Sequence, residues 1–218
     1  LIMRWNKGGE MTGEDIIPSL PPASCGVRMD RHGNIYVGIG ANMIMEDGKP
    51  HAAGTLARFP PTGGKVYGVG DMAKLKELPK RPAELQAYGW GKLWTKNCYW
   101  LYPGFDSMHF LGGGQYSCLC ASCRFDLDLY ARCFIPKAYQ FTVGVVDTNG
   151  NPICEIGRYG NADSGRGPGS AAPEIALAYC AYVAVLSDRW LYLCDDGNNR
   201  IVRVKLGYHA EERASLQQ

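Results

Sequence analysis

The sequence lacks long apolar runs and a strong excess of charge of either sign. No apolar stretch approaches the roughly 20 residues that a helix needs to cross a bilayer, so we expect no membrane span. The formal net charge is only +2, from 23 basic and 21 acidic residues, whereas nucleic-acid-binding domains are usually strongly basic. We therefore expect a protein or a small molecule as the partner, and not a nucleic acid.

Helical periodicity is also scarce. Only two segments, Asp71–Leu78 and Pro173–Tyr179, have a pattern that suits about two helical turns. The 28 glycines and 13 prolines exceed the usual shares, which are about 7% and 5% of residues. We therefore expect an all-β fold of short strands joined by tight turns, with helix confined to those two segments.

Common hydrolase signatures are missing, since neither G-x-S-x-G nor H-E-x-x-H occurs. The histidines are His32, His51, His109 and His209, and no two of them have the spacing of a metal-ligand pair. We interpret them as solvated or hydrogen-bonded side chains. A glycine-rich stretch at Gly68 and Gly70 fits a dinucleotide-binding loop, but the strand before it is too short, and a plain loop is favoured.

What the sequence does contain is a set of β-hairpin signals. The segment Cys25–Asn42 reads as a strand, a turn around Gly33 and a second strand. Thr142–Gly157 repeats this arrangement, and its Asn149-Gly150 pair is the strongest hairpin dipeptide. Glycine suits these turns because it adopts a positive φ without steric cost. Both segments are therefore predicted to be antiparallel hairpins.

Three further strands are predicted within Tyr182–Leu206, where "DDGNNR" (Asp195–Arg200) separates the last two. Acidic and amide oxygens at this density suit calcium, but the spacing and closing glutamate of an EF-hand are missing. The alternative is a structural turn, because Asp and Asn side chains satisfy nearby backbone amides. In that interpretation Arg200 pairs with Asp195 or Asp196.

Two blocks, "GVRMDRHGNIYVGIGAN" and "LYLCDDGNNRIVRVKL", resemble NHL repeats, and weaker candidates lie between them at Gly91–Tyr102 and Leu129–Pro136. The resemblance implies a β-propeller, which in this family most often has six blades. The chain has room for about four blades, so we expect about four here or a part of a larger six-bladed propeller. Residues 1–218 would form one propeller domain or propeller fragment, with an irregular insertion around 64–134.

Closure of such a propeller needs a partner strand for the last block, which ends after its third strand. The orphan strand Leu1–Trp5 is expected to supply it, because propellers often close with a terminal strand. Other blades, from a longer chain or a partner subunit, are the alternative source.

Nine cysteines are many for 218 residues. This number favours an oxidising location, extracellular or periplasmic in a bacterium, or metal binding. Four cysteines form a cluster: Cys118, Cys120, Cys123 and Cys133. Three interpretations stay open for them: disulfides, buried free thiols that pack as small apolar groups, or a zinc site. In the zinc site Cys120 and Cys123 would be the first ligand pair, since their spacing suits one tight turn.

The aromatic side chains of the middle segment are predicted to pack in the core or between blades, with an aromatic platform for a sugar or peptide as the alternative. They are Trp90, Trp94, Tyr99, Trp100, Tyr102 and Phe105.

The leading hypothesis for function is a non-catalytic binding or scaffolding module. One rival is a metal-dependent hydrolase or lyase, with its site and a calcium ion on the propeller axis. A second rival is a metal-thiolate or redox protein that uses the cluster from Cys118 to Cys133.

Overall fold

Three antiparallel sheets dominate the computed structural model of the chain. The structure describes residues 2–20, 26–39, 44–46, 49–51, 54–77, 80, 82, 85, 93–105, 123–161, 164, 174–186 and 189–207. Among these residues, helix is limited to α1 (Val69–Met72) and to two 3₁₀ turns, Ala138–Gln140 and Asp196–Asn198. The expectation of an all-β fold is therefore confirmed.

The first sheet consists of β3 (Val27–Met29), β4 (Ile35–Ile39), β7 (Gly54–Phe59) and β10 (Trp100–Phe105). Its strands lie in the order β10-β7-β4-β3, so each strand pairs antiparallel with the one that precedes it among these four. The hairpin β3–β4 confirms the turn predicted around Gly33, whose φ is +79°.

The second sheet consists of β11 (Asp126–Leu127), β12 (Cys133–Lys137), β13 (Thr142–Val146) and β14 (Pro152–Ile156). Its order, β11-β12-β13-β14, is the same up-and-down arrangement. The third sheet has three strands in the part of the chain that the structure describes: β17 (Cys180–Leu186), β18 (Trp190–Asp195) and β19 (Arg200–Lys205). These strands confirm the predicted hairpin at Gly150, which has a φ of +83°, and the three predicted strands between Tyr182 and Leu206.

Four two-stranded pairs complete the described strands. They are β1 (Arg4–Trp5) with β2 (Met11–Gly13), β5 (Ile44–Glu46) with β6 (Lys49–His51), β8 (Lys65–Tyr67) with β9 (Trp94–Lys96), and β15 (Arg158–Tyr159) with β16 (Ala176–Leu177). The last pair is parallel and the others are antiparallel. No helix in the described part of the chain is long and apolar enough to cross a membrane.

Two expectations are wrong. The N-terminal strand β1 pairs with β2 and does not complete the third sheet. Residues 174–179 are not helical, because β16 pairs with β15 and the amides of Arg158 and Gly160 donate to the carbonyls of Ile175 and Leu177. Backbone pairing with a distant segment here outweighs the helical pattern of the local sequence.

The two faces of the second sheet pack against the other two sheets. Toward the first sheet, a buried cluster includes Tyr36, Leu56, Phe105, Phe125, Cys133, Ile135 and Val146. Toward the third sheet, the buried cluster includes Phe134, Val143, Val145, Val183, Leu191 and Leu193. The far face of the first sheet is covered by residues 2–20 and by β8 and its neighbours, through Ile17, Val66 and Leu93. Burial of each large apolar side chain stabilises the fold by about 1.5–3 kcal/mol.

Candidate functional site

Three hairpin turns are built in the same way, each around an aspartate. The Asp30 carboxylate accepts hydrogen bonds from the amides of His32 (2.9 Å) and Asn34 (3.0 Å). The Asp147 carboxylate accepts from the amides of Asn149 and Asn151, both at 2.8 Å. A tight turn leaves these backbone amides without a backbone acceptor. Each carboxylate accepts their hydrogen bonds instead and thereby stabilises its turn.

The third turn of this kind lies between β11 and β12. Asp128 accepts from the amides of Tyr130 and Arg132, both at 2.9 Å, and from Arg132 Nε at 2.7 Å. Ala131 occupies the position that glycine takes in the other two turns, and its φ is +58°. This alanine is why the sequence pattern did not reveal the third turn.

Hydrogen bonding sets the ionisation of the buried turn acid Asp30. Burial by itself would raise its pKa, but the hydrogen bonds from Asn34, His32 and Tyr36 outweigh burial and hold the pKa below its ordinary value. The carboxylate therefore stays ionised at neutral pH. An acid that is ionised and saturated with donors is poorly suited to proton transfer.

A cleft of about 470 Å³ lies where the first strands of the three sheets meet. It is lined by residues 28–31 of β3 and its turn, by residues 126–129 of β11 and its turn, and by Val185 of β17. In its wall the Asp126 carboxylate accepts hydrogen bonds from Arg28 Nε at 2.7 Å and from the Val185 amide at 2.8 Å. One carboxylate thus links strands from all three sheets.

Every carboxylate in this cleft has protein partners. Asp30 and Asp128 hold their own turns, and Asp126 joins the sheets. Within the part of the chain that the structure describes, no group of three or more His, Cys, Asp or Glu side chains is placed to hold a metal ion. The cleft has the chemistry of a structural brace between sheets.

The cysteine cluster is only half described. Cys118 and Cys120 lie outside the described residues. Cys123 and Cys133 are both buried in the apolar cluster between the first and second sheets. Burial raises the pKa of the Cys133 thiol well above its ordinary value, so this group is a protonated thiol at neutral pH unless a metal or disulfide partner is present. The zinc site stays a prediction.

The "DDGNNR" segment forms the predicted structural turn. Asp195 is fully buried, and its carboxylate accepts from the amides of Ala178 (2.9 Å) and Tyr179 (3.0 Å) and from Arg200 Nε (3.1 Å). The predicted pairing of Arg200 is thereby confirmed with Asp195. Asn198 Nδ2 donates to the same carboxylate at 2.6 Å. These donors occupy the oxygens that a calcium ion would need.

Two other motifs have structural roles. The loop with Gly68 and Gly70 leads from β8, which pairs antiparallel with β9, so the parallel βαβ unit of a dinucleotide site is not formed there. His32 is exposed and its Nε2 accepts from Arg31 Nε at 3.2 Å. The side chain of His51, together with His109 and His209, lies outside the described residues.

The predicted packing role of the aromatics is confirmed for Trp100, while Trp90 lies outside the described residues. The Trp100 ring meets Tyr36 edge to face at 5.9 Å, and its Nε1 donates to the Thr148 carbonyl at 2.8 Å. The Arg58 guanidinium donates to the same carbonyl at 2.7 Å and lies over the Tyr36 ring. Side chains of the first sheet therefore clamp the β13–β14 turn of the second.

The outer face of the third sheet is the feature that the sequence did not reveal. One face of this sheet packs on the second sheet, and its residues alternate with those of the other face. Cross-strand register places the residues of that other face in three rows: Leu186–Trp190–Lys205, Ala184–Tyr192–Arg203 and Tyr182–Cys194–Ile201. We call these nine residues the open face. Ile201 is 71% exposed and Leu186 is 58% exposed, so this face is open to solvent at both residues.

The open face repeats a pair found in the first sheet. Tyr36 of β4 lies opposite Arg58 of β7, and Tyr192 of β18 lies opposite Arg203 of β19. The Arg203 guanidinium lies over the Trp190 ring, 4.6 Å from its centroid. The sequence shows the similarity of the two aromatic strands, which contain Tyr36 and Tyr192. Only the strand register shows that each tyrosine lies opposite an arginine.

The open face is therefore the candidate functional surface, since it is aromatic, basic and partly or fully exposed at every position. Comparison with known proteins adds no family: no protein-family model matches this chain, and no curated protein does.

Proposed function

We propose that this protein is a non-catalytic binding or scaffolding module whose binding surface is the open face of the third sheet. The observation that carries the proposal is the composition of that face. It combines Trp190, Tyr192 and Tyr182 with Arg203 and Lys205. Aromatic side chains and arginine are the groups most enriched at protein interfaces, because they contribute large contact areas with a polar end.

The fold that we propose for this module is an NHL-like propeller or a part of one. Three sheets run in up-and-down order, and their first strands β3, β11 and β17 lie side by side. The turns at Asp30 and Asp147 have the same sequence pattern, D-x-x-G-N. In such an arrangement each sheet covers a face of the next, and the open face is where a further blade or a partner would pack.

The chemistry of the acidic cleft supports a binding role over the rival enzyme class. A hydrolase or lyase needs a carboxylate or histidine free to meet a metal, a water or a substrate. Asp30, Asp126 and Asp128 are instead held by backbone amides and arginines. The metal-thiolate class depends on Cys118 and Cys120, which the structure does not describe, and it stays a separate prediction.

Elemental analysis of the purified protein under native conditions separates the three classes. A binding module should contain no metal in stoichiometric amount. Zinc that is lost on thiol alkylation would support the metal-thiolate class. Calcium or zinc that resists alkylation would support the enzyme and contradict our proposal.

Hydroxyl-radical footprinting tests the surface itself. In the isolated protein, Trp190, Tyr192 and Tyr182 should be oxidised readily, whereas the buried Tyr36 should not. Equal protection of Tyr192 and Tyr36 in the isolated protein would show that the open face is already covered, and would contradict this surface.

A further inference from the structure

The third sheet has one strand fewer than its neighbours among the described residues. The first and second sheets each place a fourth strand, β10 or β14, beside their third strand. In the third sheet, β19 is the last strand, and among the described strands it pairs only with β18. An unpaired edge of this kind is a template for another strand, because its outer amides and carbonyls lack backbone partners.

The register identifies which backbone groups face outward. The Leu206 amide donates to the Arg189 carbonyl at 2.8 Å, which makes these two residues a hydrogen-bonded pair. In an antiparallel ladder such pairs alternate with non-hydrogen-bonded pairs. Val204 and Val202 therefore bond to β18, while the amides and carbonyls of Ile201, Arg203 and Lys205 point to the open edge.

Side chains of β19 differ between its two faces. Val202 and Val204 belong to the apolar cluster against the second sheet. Arg203 and Lys205 lie exposed on the open face, and no described acidic side chain pairs with either of them. A strand added beside β19 would therefore meet apolar side chains on one face and cationic side chains on the other.

The second sheet offers a precedent within the molecule. Its fourth strand, β14, carries Cys154 and Ile156 on the same face as Val145 and Val143, which pack toward the third sheet. On the opposite face, Glu155 of β14 forms an ion pair with Lys137 of β12. A fourth strand that sets apolar residues on one face and a carboxylate, Glu155, against a cation on the other is thus already present in this fold.

We propose that β19 is an acceptor edge for an extended segment of a partner protein that alternates apolar and acidic residues. This proposal rests on the proposed binding function and names its partner class. The partner strand adds its backbone to Ile201, Arg203 and Lys205, with its carboxylates over the two cations. Strand addition of this kind draws affinity from main-chain hydrogen bonds and selectivity from alternate side chains.

The opposite interpretation is that the basic residues protect the edge from pairing, as charged side chains often do. The two interpretations differ in one respect. A protective edge rejects any strand, whereas an acceptor edge selects an acidic strand over a basic one.

The test uses the full chain and a labelled synthetic peptide of alternating valine and glutamate, with a valine–lysine peptide as the control. Fluorescence anisotropy should show binding of the acidic peptide only, and the binding should weaken as salt is added. The double variant Arg203→Glu, Lys205→Glu should lose at least about tenfold in affinity for the acidic peptide and gain binding of the basic one. Lys96→Glu with Arg158→Glu, the same charge change at other exposed positions, should alter neither affinity.

Amide hydrogen exchange provides a readout independent of charge. On addition of the acidic peptide, the amides of Ile201, Arg203 and Lys205 should become protected. Those of Val202 and Val204, already bonded to β18, should not change. Protection elsewhere, or equal binding of both peptides, would overturn the proposal.

A chain that ends at Gly207 completes the design, because residues 208–218 include Glu211 and Glu212. If only this shortened chain bound the acidic peptide, the edge would belong to the protein's own terminus, and the partner proposal would be wrong. Failure of the peptide to bind leaves the metal analysis and the footprint of the open face unaffected, so the two proposals fail separately.

Discussion

The first and third sheets carry the same cross-strand pair in opposite surroundings. In the first sheet, Tyr36 is fully buried and Arg58 reaches the Thr148 carbonyl of the neighbouring sheet. In the third sheet, Tyr192 and Arg203 occupy the same register, but Tyr192 is only partly buried and Arg203 is exposed. The same pair therefore joins two sheets inside the molecule at the first sheet, and on our proposal it is available to a partner at the third.

The largest expected difference between the sheets is at the tyrosines. Tyr36→Ala should reduce the free energy of unfolding by about 3–5 kcal/mol, because it removes a buried ring from the core. Tyr192→Ala should cost about 1 kcal/mol or less, as expected for a partly exposed site. Urea denaturation of both variants measures the two values. Equal losses would mean that the open face is covered and would break the comparison.

The second largest difference in stability is expected between the two arginines, Arg58 and Arg203. Arg58→Met removes a largely buried guanidinium that bonds Thr148 and Asp30, and we expect a loss of about 1.5–3 kcal/mol. Arg203→Met removes an exposed group and should change stability by about 0.5 kcal/mol or less. Thermal unfolding of both variants checks this order. A larger loss of stability in Arg203→Met than in Arg58→Met would contradict the role of Arg58 in holding the β13–β14 turn.

Gly150 lies in the β13–β14 turn, which Arg58 and Trp100 hold through the Thr148 carbonyl. Gly150→Val should destabilise by more than about 1 kcal/mol, because the φ of +83° is strained for valine and a Cβ would lie 2.9 Å from the Trp100 ring. Gly33→Val is the matched control: its φ is +79°, but its Cβ would be 3.4 Å from Pro61. The melting temperature should therefore fall further at Gly150. A greater fall at Gly33 would argue against a tightly docked turn.

The smallest effect concerns acid sensitivity. The folded pKa of Asp30 is lowered, so its ionised form stabilises the fold above the ordinary value of 3.8, and this contribution is lost as the pH falls through the lower folded pKa. The stability difference between the wild type and Asp30→Asn should therefore shrink as the pH falls below 3.8. Asp147→Asn should behave in the same direction, since its pKa is also lowered. A constant difference across this range would contradict the lowered pKa.

The sequence predicted the parts of the fold that are encoded locally. Asn149-Gly150 and Gly33 mark their hairpins because few other residues tolerate the backbone there. The strands between Tyr182 and Leu206 follow from alternation and from the "DDGNNR" turn. These signals act over a few residues, and each was confirmed where the structure describes it.

Long-range pairing was not predictable in the same way. Nothing near Trp100 indicates that β10 completes a sheet with β7, which lies about 40 residues earlier. The helix expected near Ala176 is wrong because β15 offers it a partner. The open face depends on the register of three strands, and alternation alone does not say which side a neighbouring sheet will cover.

The Asp126 brace has a consequence for the time course of folding. Its two hydrogen bonds join residues separated by 98 and by 59 positions in the chain. Closing loops of that length is entropically unfavourable, so contacts of this kind form late. Asp126→Asn should then leave the refolding rate nearly unchanged and accelerate unfolding. We therefore expect the carboxylate that joins the three first strands to govern how long the assembled sheets persist, and the local hairpins to govern how fast they form.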